Sequence, residues 1–237
     1  MNRIVQAYFK EGIEYCRKEA FEKAIPLFDK VLSHEPEHID TLYNRAKARF
    51  KLKQLEASIS DFDQLIELQP RHALFYSERG VAHYLAGNMT SALSDLDKTV
   101  ELEPQKPFRY SSRAFIKERA GDLKGAIADY EKAISLDPED AISLNNKGLI
   151  EEKMGHLEKS KKSFAGADAL DPAHKATDQP KKEDISNDPI RYKPKPPVEG
   201  NKVNVKSYLN TLTALITSKE EQKMFIDFLK NFGRTQK

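Results

Sequence analysis

The chain has 237 residues, of which 32% are charged and 39% are apolar, and its 39 basic side chains nearly balance its 37 acidic ones. This balance argues against nucleic acid as the main partner, because nucleic-acid binding favours a clear basic excess. The single cysteine, Cys16, excludes an internal disulfide, and no stretch approaches the ~20 apolar residues of a membrane span. Since the N-terminus also lacks the apolar run of a signal peptide, the sequence predicts a soluble, cytoplasmic protein.

A repeat of 34 residues organises the chain from residue 5 to residue 172. Proline recurs at this spacing, as Pro36, Pro70, Pro104, Pro138 and Pro172. A fixed period of this size indicates a solenoid, in which each helix pair buries its apolar face against the next pair. The predicted repeats are residues 5–38, 39–72, 73–106, 107–140 and 141–172.

Each repeat reads as two amphipathic helices, and its positions are numbered here from Val5, Ile39, Ala73, Pro107 and Ala141. Position 8 in the first helix and position 20 in the second are always small, whereas positions 4 and 24 are always large and mostly apolar or aromatic. We therefore expect positions 8 and 20 to face each other at a close approach of the two helices. Position 15 is Gly87, Gly121 or Gly155 in the last three repeats, which predicts a tight reversal there.

This pattern resembles the tetratricopeptide repeat, in which bulky, small, aromatic and proline positions recur over 34 residues. The resemblance covers residues 5–172 and implies an all-α fold, a right-handed α-solenoid of five helix-turn-helix repeats. Position 7, usually leucine in that family, is Glu11, Arg45, Arg79, Arg113 or Lys147 here, and we expect these residues to weaken the packing between helices. Proline at position 22 of the first repeat, Pro26, is expected to cost little because it lies early in its helix.

The resemblance also implies a concave groove that binds protein ligands through positions 2, 5, 6, 9, 12 and 13 of the first helices. We expect positions 5 and 9 to be harder to bury than position 12, where Phe50 and Tyr84 could simply belong to the core. Of the dicarboxylate clamp that holds chaperone C-termini in this family, only Asn44 is matched, so that activity is not carried over. The predicted partner-binding residues are Phe9, Ile13, Tyr43, Asn44, Lys47, Leu74, Glu78, Val81, Phe108, Ser112, Phe115, Asn146 and Leu149.

Beyond the array the composition changes twice. Residues 173–200 are rich in proline and charge, which predicts a flexible linker. Residues 201–237 have apolar residues at helical spacing on both sides of Ser218, and they predict an amphipathic helical hairpin. Two such short helices need a partner. They could occupy the groove, cap the last repeat, dimerise or bind another protein.

No catalytic motif, metal-binding motif or cofactor-binding motif is present, and His34 and His38 straddle Pro36 and so share no helical face. The sequence therefore predicts a non-enzymatic scaffold without cofactor or metal, a monomer or weak dimer, whose groove binds an apolar or amphipathic protein segment. The C-terminal helices could occlude that groove. The alternative is a co-chaperone-like or complex-assembly factor whose C-terminal helices bind a second partner or dimerise.

Overall fold

The computed structural model describes residues 3–170, which form ten α-helices and no strand. In chain order the helices are α1 (Arg3–Arg17), α2 (Phe21–His34), α3 (Ile39–Lys51), α4 (Leu55–Leu68), α5 (Ala73–Leu85), α6 (Met89–Leu102), α7 (Pro107–Arg119), α8 (Leu123–Leu136), α9 (Ala141–Lys153) and α10 (Leu157–Leu170). Each helix contacts the next along the chain, which confirms a solenoid of helix pairs. The predicted linker at 173–200 and hairpin at 201–237 lie outside the described residues.

The two helices of a repeat approach each other at the small positions, as predicted. In the second repeat the hydroxyl of Ser58 donates a hydrogen bond to the carbonyl oxygen of Ala46 at 2.9 Å. In the third, a Cβ atom added to Gly80 would lie only 3.3 Å from the carbonyl oxygen of Ala92. Larger side chains at these positions would separate the helices and open the core.

The reversal at position 15 occurs in all five repeats, although glycine occupies it in only three. Gly87, Gly121 and Gly155 have φ values of 83°, 85° and 80°, in the left-handed region that favours glycine. Glu19 and Lys53 adopt φ values of 57° and 58° at the same position of the first and second repeats. The repeat geometry thus imposes a conformation that these two residues do not prefer.

The centre of the core is formed by position 24 of the repeats, where Phe28, Phe62, Leu96 and Tyr130 are almost completely buried. Adjacent repeats are also linked at position 4, because the Tyr110 hydroxyl donates to the carbonyl oxygen of Pro104 at 3.0 Å. Tyr76 makes the equivalent bond to Pro70 at 3.1 Å. Pro70 and Pro104 therefore lie at the end of one repeat and also bind the first helix of the next.

The expectation of a low cost at Pro26 rested on an argument that is wrong. Helix α2 begins at Phe21, and the backbone N–H of Ala24 already donates to the carbonyl oxygen of Ala20 at 3.2 Å. Pro26 therefore lies beyond the first-turn donors that lack helical partners, and it leaves the carbonyl of Glu22 without its usual donor.

Candidate partner-binding groove

The first helices of successive repeats contact each other through their predicted groove positions. Lys47 at position 9 of α3 contacts Glu78 at position 6 of α5, with Nζ and Oε2 at 2.9 Å. Further along, the rings of Tyr84 in α5 and Phe115 in α7 lie 6.1 Å apart, edge to face. We use "groove" for positions 2, 5, 6, 9, 12 and 13 of the five first helices.

Three of the predicted groove residues are buried. Phe9 and Tyr43, both at position 5, are 8% and 5% exposed, and Asn44 is 5% exposed. Phe9 contacts the ring of His38 at 5.3 Å between centroids, so it packs at the junction of the first two repeats. The expectation that position 5 is harder to bury than position 12 is therefore wrong for Phe9 and Tyr43, since Phe50 at position 12 is buried to a similar degree.

The polar groove residues of the second and third repeats bind one another. The carboxylate of Glu78 accepts from Lys47 and, at 3.5 Å, from the hydroxyl of Tyr43. Burial, together with the nearby Glu78 carboxylate, raises the pKa of Tyr43 well above its ordinary value. Burial also lowers the pKa of Lys51, and the neighbouring Lys47 charge adds to this effect. Lys47, Glu78 and Tyr43 already bind one another, which leaves these three groups little capacity for a ligand.

The other predicted groove residues are partly exposed, namely Ile13, Leu74, Val81, Phe108, Ser112, Phe115, Asn146 and Leu149. The sequence interpretation missed Leu85, at position 13 of α5, which is 47% exposed. The same position is basic in the other four repeats, so an apolar residue there was a detectable exception.

The fourth and fifth repeats form an uncharged part of this surface. We call positions 2, 5, 6 and 9 of α7 and α9 the neutral floor: Phe108, Ser111, Ser112, Phe115, Ile142, Asn145, Asn146 and Leu149. All but Ser111 are partly exposed. The same positions of the first three repeats carry four charges, on Lys10, Asp40, Lys47 and Glu78. The difference is confined to these four positions, because positions 12 and 13 of α7 and α9 carry Glu118, Arg119, Glu152 and Lys153.

The asparagines at position 6 of α3 and α9 also differ in their hydrogen bonding. The side chain of Asn44, at position 6 of α3, donates to the carbonyl oxygen of Asp40 at 2.7 Å. Asn146 occupies position 6 of α9, and within residues 3–170 neither it, Asn145 nor Ser112 has a side-chain hydrogen bond. These partly exposed groups are available to a ligand.

A buried arginine lies beside the neutral floor, and the sequence interpretation missed it. Arg109 is 5% exposed, and its guanidinium lies 4.3 Å from the centroid of the Phe108 ring. Its Nε donates to the carboxylate of Glu103 at 2.7 Å. Burial lowers the pKa of Arg109, and the Glu103 charge opposes that shift. Position 3 is uncharged in every other repeat, which was the available signal.

The arginines at position 7 form a ladder of ion pairs on another side of the first helices. The guanidinium of Arg79 binds Asp95 of its own repeat and Asp63 of the preceding repeat, both at 2.6 Å. Two further arginines make the same two contacts: Arg45 with Asp61 and Asp29, and Arg113 with Asp129 and Asp97. The expected loss of packing is wrong for these three residues, because each joins three helices. We call this set the charge ladder.

The charge ladder is incomplete in the third repeat and weaker in the fifth. At position 11, Arg49 and Lys117 add a second cation to Asp61 and Asp129, at 2.8 Å and 2.9 Å. His83 occupies that position in the third repeat, and its Nδ1 is buried without a hydrogen-bond partner. In the fifth repeat Lys147 binds the buried Glu151 at 2.7 Å and reaches Glu131 only at 3.6 Å.

Other candidate chemistry is limited in the described part of the chain. Burial raises the pKa of the Cys16 thiol to about 11, which opposes formation of a nucleophilic thiolate. Residues 3–170 contain no group of three or more His, Cys, Asp or Glu side chains placed to hold a metal ion. None of the ten helices is both long enough and apolar enough to cross a membrane.

Family comparisons support the repeat assignment. Tetratricopeptide repeat models match residues 43–107 and residues 141–174, and a TPR repeat model matches residues 119–155. Together these matches cover about half of the chain, and the first repeat lies outside them. No curated protein sequence matches the chain significantly.

Solved structures share the fold. A crystal structure of MamA protein superposes with a TM-score of 0.67 at 22% identity, over 77% of this chain and all of the MamA chain. MamA 41-end from Desulfovibrio magneticus RS-1 gives 0.67 at 19% identity, over 74% and 99% of the two chains. YrrB, described as a TPR protein with an unusual peptide-binding site, gives 0.59 at 17% identity, over 71% and 87%. At these identities the similarity concerns the fold alone.

Proposed function

Because the chain belongs to the tetratricopeptide repeat family, we propose that it is a non-enzymatic interaction scaffold whose groove binds an apolar or amphipathic segment of another protein. The observation that carries this proposal is the partial exposure of Phe108, Phe115, Ile142 and Leu149 on neighbouring first helices. Large apolar groups gathered on one accessible surface mark a contact site. Available amide groups beside them, such as Asn146, would orient the ligand.

A double replacement tests this proposal. Phe108→Ala with Phe115→Ala should abolish partner capture, measured by quantitative mass spectrometry of proteins that co-purify with the full chain. Circular dichroism should show unchanged helical content, because neither ring is fully buried.

The matched control removes two exposed apolar side chains from α10, which is outside the groove. Leu157 and Leu170 are 56% and 41% exposed, and their replacement by alanine should leave capture intact. Equal capture by the wild-type chain and the groove variant would reject the scaffold proposal. If both variants lost capture equally, capture would be due to non-specific association of exposed apolar surface.

We also propose that residues 201–237 act in cis as an occluding segment for the groove. The charge distribution supports this, since residues 1–172 hold 26 of the 39 basic and 29 of the 37 acidic side chains, whereas residues 201–237 hold 7 and 3. The two parts therefore carry opposite net charge. The coil predicted for residues 173–200 would span roughly 30 Å, and such a tether gives a weak contact an effective concentration near millimolar.

Deletion of residues 201–237 tests the occlusion. We expect partner affinity and apolar-dye binding to rise, because the groove would lose its competing segment. Unchanged affinity and dye binding would reject occlusion. A change from dimer to monomer on deletion, measured by light scattering over a range of concentrations and judged against the mass of each chain, would instead favour the assembly-factor alternative in which these residues dimerise.

A further inference from the structure

We propose that Lys51 binds a carboxylate of the ligand, and that Val81 and Leu85 bind an apolar side chain of the same segment. This inference rests on the proposed scaffold function and goes beyond it, because it assigns a charge and a local pattern to the partner. The partner that fits this surface is an acidic amphipathic protein segment, in which Asp or Glu lies close to Leu, Ile or Phe. The site is distinct from the dicarboxylate clamp of the family, of which only Asn44 is matched.

Lys51 differs from the other basic residues at the same position of the first helices. Position 13 is basic in four repeats, where it is Arg17, Lys51, Arg119 or Lys153. Of these four residues, all in the described part of the chain, only Lys51 is partly buried and the other three are exposed. Arg17 also has an ion pair within its own helix, at 2.6 Å from Glu14. A partly buried ammonium has lost some of its hydration, so it gains more from a bound carboxylate than an exposed one does.

The ammonium of Lys51 has no hydrogen bond or ion pair within residues 3–170. The Glu78 carboxylate acts on it but binds Lys47, with its two oxygens 3.0 Å and 2.9 Å from Nζ. Glu19 also acts on Lys51 without forming an ion pair with it. Burial and the neighbouring Lys47 charge lower the pKa of Lys51, and the two carboxylates oppose this shift. A ligand carboxylate would therefore supply the ion pair that the described residues do not provide.

The register of α3 against α5 is fixed by two contacts. The ring centroids of Tyr43 and Phe75 lie 6.1 Å apart, and one turn later in both helices Lys47 binds Glu78. The two helices therefore run side by side in the same direction, and the next turn of α3 lies beside the next turn of α5.

An apolar surface follows Lys51 along the groove. The next turn of α3 contains Lys51, and the next turn of α5 contains Val81, with Leu85 one turn further. Val81 is partly exposed and Leu85 is 47% exposed. Because position 13 is apolar only in the third repeat, the surface changes from basic at Lys51 to apolar at Leu85. A segment that carries a carboxylate and a nearby apolar side chain matches this change, whereas a basic segment would be repelled by two lysines.

A display library of random twelve-residue peptides, selected on the full chain, tests this inference. Selected peptides should be enriched in Asp and Glu close to Leu, Ile or Phe, and depleted in Lys and Arg. Replacing the selected carboxylate by its amide, Asp by Asn or Glu by Gln, should weaken binding by about tenfold, because the charged hydrogen bond to Lys51 would be lost.

A double-mutant cycle identifies the lysine that binds the carboxylate. Lys51→Gln should weaken binding of the acidic peptide by about tenfold and should leave binding of its amide counterpart unchanged. Lys51→Glu should change the selected peptides to ones that contain Lys or Arg. Lys153→Gln, at the same position of the fifth repeat but exposed, is the matched control and should leave binding of the acidic peptide unchanged. Circular dichroism checks that all three variants keep their helical content.

The outcomes separate this inference from the scaffold proposal. Selected peptides that bind Lys51→Gln as tightly as wild type but still require Phe108 and Phe115 would overturn the carboxylate site and leave the scaffold proposal standing. Binding that survives loss of both rings and loss of Lys51, or a selection that yields no peptide, would overturn the two together. A tenfold loss on Lys51→Gln, with no further loss when the peptide carboxylate becomes an amide, supports the carboxylate site.

Discussion

The charge ladder and the neutral floor are built from the same first helices, but they treat polar groups in opposite ways. Arg79 of the charge ladder satisfies its guanidinium with two carboxylates from two different helices. Asn146 of the neutral floor has no side-chain hydrogen bond within the described residues. Paired groups stabilise the array, whereas unpaired and partly exposed groups remain available for binding. The contrast predicts that ladder variants lose stability and floor variants lose binding.

The largest effect is expected when the inner carboxylate of the charge ladder is removed. Asp129→Ala would leave Arg113 and Lys117 without the carboxylate that binds them at 2.6 Å and 2.9 Å. We expect the free energy of unfolding to fall by roughly 3 kcal/mol, because two partly buried cations would lose the carboxylate that they share, and only Arg113 would keep a second one, Asp97. Urea denaturation of the full chain measures this. Asp97→Ala, at a carboxylate that is 60% exposed, is the control and should cost about 1 kcal/mol or less.

A smaller effect is expected at the bond that links adjacent repeats. Tyr110→Phe removes the hydroxyl that donates to Pro104, which should lower the free energy of unfolding by about 1 kcal/mol. Tyr8, the equivalent residue of the first repeat, has no hydroxyl hydrogen bond within residues 3–170, so Tyr8→Phe should be neutral. Equal effects of the two replacements would show that the bond adds nothing to stability.

Stability should also depend on pH through His72, whose ring stacks on Phe75 at 4.2 Å between centroids. Burial lowers its pKa from 6.5 and Arg109 adds to this, while Glu103 opposes it. Because the folded pKa lies below the unfolded one, the unfolded state gains its proton first as pH falls. The contribution of uncharged His72 to the free energy of unfolding is therefore complete above about pH 6.5, and it is lost as the pH falls below that value. Thermal melts of wild type and His72→Asn should converge as pH falls, and parallel curves would contradict this.

The smallest effect is a gain in the third repeat. His83→Lys would supply Asp95 with the second cation that Lys117 gives to Asp129, and it should raise the free energy of unfolding by roughly 0.5 kcal/mol. The reverse change, Lys117→His, should lower it by a similar amount. Partner binding should not respond to either change, because neither residue belongs to the neutral floor. Altered binding by these variants would weaken the distinction between the two regions.

Much of the fold could be predicted because the same contact between two helices recurs in each of the five repeats. Small residues at positions 8 and 20, such as Ala46 and Ser58, recur wherever two helices approach closely, so periodicity alone identifies the contact. Periodicity is less informative about partners that come from another repeat. Arg79 reads as a departure from a leucine pattern, and only the approach of Asp63 from the preceding repeat makes it a structural residue.

In the candidate site, too, the sequence pattern does not show which residues a neighbouring helix covers. Phe9 and Phe108 are both aromatic groove candidates in the sequence, yet Phe9 is buried against His38 while Phe108 remains partly exposed beside Arg109. Exposure depends on the neighbouring helix, and residue type alone does not contain that information. Leu85 and Arg109 both differ from the residues at the same position of the other four repeats, and that difference is the signal that the sequence carries for them.

The sequence by itself determined the family, the period and the reversal between the two helices of a repeat, since these follow from local spacing of apolar, small, glycine and proline residues over 34 positions. Only the tertiary structure decided which polar groups are paired. Lys47 and Glu78 are 31 residues apart, and Asp63 and Arg79 are 16 apart on different helices. Such pairs form only after the repeats stack, because stacking brings their helices within hydrogen-bond distance. For the same reason, the burial of Phe9 and Tyr43 and the partial exposure of Phe108 and Phe115 are properties of the assembled array.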